Sequence, residues 1–288
     1  MMKSSLPTAT RILSLALVLL LALGTGRASE KWQLVWHDEF NQNGTPNATN
    51  WTYETGFVRN HELQWYQPEN AWCTNGHLMI EGRPANLPNP HYQPGSRRWQ
   101  ENRERITYTS ASLTTRSLHE FTYGKFEMRA RIDVRSGSWP AFWTLGVDRD
   151  HFGWPACGEV DIMEFYTRTV LANFGWGENG KTKWLAQKKP LEALPNRWDW
   201  SEWSKQFHIW TMEWTPEKID LRLDGRLMNH LDLAQADTAS HGNPFHQPVY
   251  LILNQAIGAN GGTPTNNPAS YRFEVDWVRV YQHPSTAK

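Results

Sequence analysis

Three carboxylates fall within six residues of one otherwise apolar stretch, Gly158-Glu159-Val160-Asp161-Ile162-Met163-Glu164-Phe165-Tyr166. Side chains alternate across a strand, so Glu159 and Asp161 share a face. Glu164 is out of phase with them, and a one-residue bulge after Asp161 returns it to their side. Glu159 and Glu164 then stand like residues four apart, roughly 13 Å between Cα atoms at about 3.3 Å per residue. Two side chains leaning inward close that gap to the ~5–5.5 Å at which a carboxyl pair cleaves a glycosidic bond through a covalent intermediate. One carboxylate attacks the anomeric carbon, and the other, protonated near neutral pH, gives its proton to the leaving oxygen. A third carboxyl between them raises the acid's pKa by like-charge repulsion and orients the nucleophile. The other readings are a shared metal and a row of solvated acids on an edge strand. Like charges on one face contribute nothing to folding, and Val160, Ile162 and Phe165 anchor the opposite face, which favours proton-transfer chemistry.

Period-two patterns dominate the rest of the chain, and helical periodicity is scarce. From Gly124 to Val134, Phe126, Met128, Ala130 and Ile132 alternate with Lys125, Glu127, Arg129 and Arg131, a half-buried strand with one wet face. Further strands are expected at 34–40, 78–81, 107–114, 141–145, 159–165, 170–174, 208–214, 219–223, 249–256 and 271–281. Asp224-Gly225 marks a hairpin. Residues 84–104 and 177–204 read as long loops, the second rich in Trp. Many strands at short spacing without helices between them argue an antiparallel sandwich.

The sequence has 288 residues, with 29 Lys+Arg against 29 Asp+Glu and only 2 Cys. No basic excess is left for a nucleic-acid backbone, and a disulfide scaffold or Cys-based zinc module is excluded. Cys73 and Cys157 could still pair in an oxidising compartment. The 17 Trp are more than one core readily buries, which points to a groove lined with indoles. Lys3 and Arg11, the apolar run Ile12–Leu23 and the small residues around Arg27 read as a cleaved secretory signal over residues 1–28. Its removal leaves 26 basic and 29 acidic residues, a net −3. The mature chain, 29–288, is expected to be one exported catalytic domain, monomeric, with no membrane segment.

Gly158-Glu-Val-Asp-Ile-Met-Glu164 resembles the motif of glycoside hydrolase family 16 in its longer, bulged form. Trp36-His-Asp-Glu-Phe40, Asn60-His-Glu-Leu-Gln-Trp-Tyr66, Tyr123–Arg131, Ser138-Trp-Pro-Ala-Phe-Trp143 and Val275-Asp-Trp-Val-Arg-Val-Tyr281 follow in family order. The resemblance covers nearly the whole mature chain. It implies an all-β, concanavalin-like β-jelly roll of two antiparallel sheets with an open concave cleft. It implies Glu159 as nucleophile, Asp161 as orienting acid and Glu164 as acid/base. A polysaccharide substrate is implied, first a laminarin-type β-1,3-glucan, with mixed-linkage glucan or an agar- or porphyran-type galactan as alternatives. A lectin-like binding module on the same fold would not need two acids beside the scissile bond. For a sulfated substrate, Arg97, Arg98, Arg103 and Arg105 are candidate local cations.

Sugars present apolar C–H faces ringed by hydroxyls, so Trp139, Trp143 and Trp154 are expected to line the cleft with the polar Asn60 and Glu62. Trp176 aligns where laminarinases carry a His, and an aromatic platform is expected there. No cofactor is needed for catalysis. The family also implies a structural calcium on the convex side, with Glu39, Gly76 and Asp276 as hard oxygen ligands. The alternation of Tyr271, Phe273, Val275 and Trp277 puts Asp276 on the outward face with Val278 and Val280, where an acid wants a partner.

Overall fold

The computed structural model describes residues 31–178, 181–194, 200–264 and 270–284, so the leader assigned to residues 1–28 lies outside the described residues. The strands run β1 (Gln33–Asp38), β2 (Thr52–Glu54), β3 (Gln64–Tyr66), β4 (Ala71–Thr74), β5 (His77–Pro88), β6 (Arg105–Ser110), β7 (Ser112–Thr114), β8 (Gly124–Ile132) and β9 (Ser138–Gly146). They continue with β10 (Glu159–Tyr166), β11 (Thr169–Glu178), β12 (Lys181–Pro190), β13 (His208–Trp214), β14 (Lys218–Leu223), β15 (Arg226–Asp232), β16 (Val249–Ile257) and β17 (Tyr271–Gln282). Among the described residues they form two sheets. One has the order β15-β14-β13-β8-β17-β5-β6-β3, with β1 on β17 and β4 on β5; the other runs β12-β11-β10-β9-β16-β7-β2. All pairings are antiparallel except β3 with β6. This is the expected all-β jelly-roll sandwich.

The alternation read from β8 holds: Phe126, Met128, Ala130 and Ile132 are buried between the sheets and the intervening charges stay partly wet. They meet Val160, Ile162, Met163 and Phe165 of β10 and Val170, Ala172, Phe174 and Trp176 of β11 in one core. Each fully buried side chain of this size stabilises the fold by about 1.5–3 kcal/mol. Ile162 and Met163 are adjacent and both face that core, so β10 must bulge. Its register shifts between Asp161 and Glu164 against β11, and between Asp161 and Met163 against β9. The Asp224-Gly225 hairpin also forms, with φ of 49° and 75°, the two left-handed residues that a tight strand reversal demands.

Three expectations need correction. Residues 84–88 are not loop but the end of β5, paired with β6, and residues 181–190 are not loop but β12, the edge strand of the second sheet. The phase of β17 reverses at a bulge between Val275 and Trp277, so Val278 and Val280 turn into the core and Asp276 does not share their face. Cys73 and Cys157, whose pairing the sequence leaves open, are both buried and free. No helix among the described residues is long and apolar enough to cross a membrane.

Candidate active site

The outer face of the second sheet carries a cavity of about 660 Å³. Sheet register arranges its floor in three rows. Glu159 pairs with Gly175 and Leu145, and Gly175 pairs in turn with Trp184. Asp161 pairs with Asn173 and Trp143, and Asn173 with Ala186. Glu164 pairs with Leu171 and Ala141, and Leu171 with Lys188. The bulge in β10 puts all three acids on one face.

The carboxyls are linked in series. Asp161 lies between the two glutamates along β10, and the charges of both bear on it. Trp154 Nε1 donates to Glu159 Oε2 at 2.7 Å, and Trp139 Nε1 donates to Glu164 Oε1 at 2.8 Å. Asn173 Nδ2 donates to Asp161 Oδ2 and Glu164 Oε2, both at 3.1 Å. Burial, then the Glu164 charge, pushes Glu159 up to about 7. Burial and the two flanking glutamates push Asp161 well above the carboxylate range. Glu164 is raised by burial, against the hydrogen bonds it accepts from Trp139, Asp161 and Asn173. The cluster therefore retains protons near neutrality, which isolated surface acids do not.

Beside the triad lies a polar network whose direction is forced. An indole N–H can only donate. Trp143 Nε1 donates to Asn254 Oδ1 at 2.7 Å, so Asn254 Nδ2 donates to the Tyr66 hydroxyl at 3.0 Å. Tyr66 in turn donates to Glu62 Oε2 at 3.2 Å, which also accepts from Gln64 Nε2 at 2.6 Å. Asn60 Nδ2 donates to Glu62 Oε1 at 3.3 Å. Burial raises the Glu62 pKa against the pull of Arg59 and these donors. Arg59 stacks over the Trp143 ring at 4.9 Å and pairs with Glu54. Burial works against charge on Glu54, but the Arg59 guanidinium holds its carboxyl below the ordinary range.

Asn60 and His61 both have left-handed backbones, with φ of 56° and 54°, a conformation costly for side-chain-bearing residues. A latch from the loop 89–104 holds them. Arg103 donates to the carbonyls of His61, at 2.7 Å, and Glu62. Its guanidinium also stacks on Phe57 and Trp99, at 5.0 and 4.6 Å.

The structure brings together eight of the expected residues, Asn60, Glu62, Trp139, Trp143, Trp154, Glu159, Asp161 and Glu164, around this cavity. It does not bring Trp176. On β11 the residues paired with the acids are Leu171, Asn173 and Gly175, so strand parity turns Trp176 inward against Phe245, with its N–H unpartnered. Asn173 is among the cleft residues the sequence reading missed, with Arg59, Trp184, Lys188 and Asn254. Its parity opposite Asp161 was available, but only once β10 and β11 were paired in register. Nor do the loop arginines face the cleft as a group. Arg98 pairs with Glu101, Arg103 is the latch, and Arg105 binds Asn86.

The residues expected around calcium fit it poorly. Glu39 is bound by Arg279 through two 2.8 Å hydrogen bonds, and Asp276 by Arg129. Gly76 sits in the turn between β4 and β5. Among the described residues no group of three or more His, Cys, Asp or Glu could hold a metal. With both carboxylates already neutralised, melting in a chelator and in millimolar calcium is expected to coincide. A rise of several °C with calcium would show that the ion displaces the arginines.

The model of glycosyl hydrolases family 16 matches residues 91–279. A β-glucanase of Rhodothermus marinus is 35% identical over 278 residues, covering 90% of this chain and 89% of its own. The catalytic domain of an endo-1,3-β-glucanase (laminarinase) from Thermotoga petrophila superposes with a TM-score of 0.73 at 32% identity, over 88% of this chain and 99% of that one. A structure from work on endo-acting O-glycanases, with which human gut bacteria initiate mucin breakdown, superposes at 0.79 and 32%, over 88% and 92% of the two chains.

Proposed function

The chain belongs to glycosyl hydrolase family 16, and on that premise we propose that it is a secreted, retaining endo-glycosidase acting on a laminarin-type β-1,3-glucan. The observation that carries the mechanism is the bulged β10, which lines up three carboxyls on the cleft floor. Direct attack needs the two carboxyls about 5–5.5 Å apart, against about 6.5–9.5 Å where a water must fit between them, and we assign the first to Glu159 and Glu164 from the family motif they occupy.

In the first step a Glu159 oxygen bonds to the anomeric carbon as the C–O bond to the leaving sugar breaks. Glu164 gives its proton to that oxygen. In the second step Glu164, now a carboxylate, takes a proton from water. The water oxygen bonds to the anomeric carbon and Glu159 departs, which restores both groups. Trp154 steadies the charge on Glu159, and Asp161 offers its proton as a hydrogen bond to either glutamate. The network from Trp143 to Glu62, with Asn60, supplies hydroxyl contacts for the sugar being cleaved. Export rests on the apolar run at residues 12–23.

A second reading keeps the mechanism and replaces the glucan with a β-linked galactan or O-glycan. The higher TM-score of the O-glycanase structure favours it. Incubation with laminarin, lichenan, agarose, porphyran and mucin, followed by reducing-end assay, separates the two readings. Release from laminarin alone supports the first, and release from the galactans or mucin alone supports the second. NMR of the fresh product should show the β-anomer; an initial α-anomer means inversion and removes the covalent intermediate.

A further inference from the structure

We infer that the cleft-facing side of β12 forms the subsite for the departing sugar, with Trp184 as its platform. This rests on the proposed hydrolase reading and adds residues to it. Trp154 and Trp184 are each 48% exposed. They are the only exposed tryptophans among the residues whose side chains are described, whereas Trp139 and Trp143 are buried beneath the cleft surface. Leaving large apolar rings in water needs a reason, and both line the same cavity.

The sheet register shows how Trp184 reaches the chemistry. It sits in the row of Glu159, separated from it only by Gly175. A Cβ on Gly175 would lie 2.7 and 2.8 Å from two atoms of the Trp184 ring. Only glycine there lets the indole lie across β11 toward Glu159. Trp154 closes the corner: its ring centroid is 6.3 Å from that of Trp184 at 45°, and its N–H is bonded to Glu159. At that distance and angle the two rings cannot sandwich a pyranose. They form an angled wall on which one apolar sugar face rests. Ala186, in the row of Asp161, leaves the trough low beyond the wall.

The side of the scissile bond follows from chemistry. The sugar that passes through the oxocarbenium-like state needs many directed hydrogen bonds, strongest in the transition state. Those donors and acceptors lie on the β9 and β16 side, in the network from Trp143 through Asn254 to Glu62. The departing sugar has to be held and then released. A stacking platform on the open edge strand does that without demanding a fixed pattern of hydroxyls. The ligand class is therefore a pyranose ring presenting a C–H face.

The test compares wild type, Trp184→Ala and Trp184→Phe on two substrates sharing one glycone, taken from whichever polymer the wild type cleaves. One is an oligosaccharide, which fills both sides of the cleft. The other is the matching β-glycosyl fluoride, whose leaving group is too small to reach Trp184. Trp184→Ala is expected to lose about tenfold or more in kcat/KM on the oligosaccharide relative to its loss on the fluoride. Transfer to an added sugar acceptor should fall in parallel, with Trp184→Phe retaining most of both. Equal losses on the two substrates, or no loss on either, overturn the subsite. A wild type inactive on every polymer and on the fluoride overturns the hydrolase reading instead.

Discussion

Glu159→Gln is expected to cut hydrolysis by at least about 10³-fold while oligosaccharide binding persists, because the amide keeps the shape but cannot form the glycosyl-enzyme. A smaller variant, Glu159→Ala, leaves room for azide, which should restore turnover and yield an α-configured glycosyl azide. A β-configured azide from that variant would remove Glu159 from the nucleophile's role. The same change should stabilise the protein. Burial and Glu164 raise the Glu159 pKa from an unfolded value of 4.5 to about 7. The folded state thus binds this proton more tightly than the unfolded chain, so wild-type stability falls as pH rises from about 4.5 to about 7. Glu159→Gln has no proton to lose. Its melting temperature should match wild type near pH 4, exceed it progressively through that window, and hold a constant excess above it. Measuring both across pH links the inactive variant to the electrostatic cost of keeping the site charged.

Glu164→Gln should lower cleavage of sugar leaving groups by about 10²–10⁴-fold, the usual contribution of a positioned proton donor. An activated aryl leaving group needs no protonation, so the first step should then run close to the wild-type rate. Without a base to activate water, the glycosyl-enzyme accumulates. A burst of phenol followed by slow turnover is the expected trace. Azide needs no general base and should relieve the slow step in Glu164→Ala, giving a β-configured azide. Uniform loss on sugar and aryl substrates alike would reassign Glu164 to holding Asp161 and Trp139 in place.

These acids were legible because strand parity is a local property and one bulge after Asp161 is enough to return Glu164 to the face of Glu159; the structure makes that bulge by burying both Ile162 and Met163. Strand β8 and the Asp224-Gly225 hairpin were legible for the same reason. Strand β12 was not. Lys181-Thr-Lys-Trp-Leu-Ala-Gln-Lys-Lys-Pro190 lies at a sheet edge, and most of its side chains are exposed on both faces. No apolar alternation survives there, and lysines are common on such edges because they discourage further pairing. Trp176 was misplaced because an alignment carries residue identity but not facing. On β11 the facing follows from pairing Asn173 with Asp161. The phase of β17 failed at a bulge with no sequence mark beyond Asp276 itself. The Arg103 latch joins residues 41 and 42 positions apart, and no short-range pattern encodes such a contact.

That latch bears on how family members can exchange parts. The segment presenting Asn60 and Glu62 has its carbonyls bound by a cation from another loop, and that cation is itself seated on Phe57 and Trp99. A chimera that imports residues 57–66 from a relative with a different sugar preference, but keeps the resident 89–104, would separate the two halves of one device. The workable crossovers lie outside both segments, so that donor and acceptor loops travel as a pair. Recombination libraries should show this as linkage: active clones carry 57–66 and 89–104 from the same parent, although 22 residues of strand and turn lie between them.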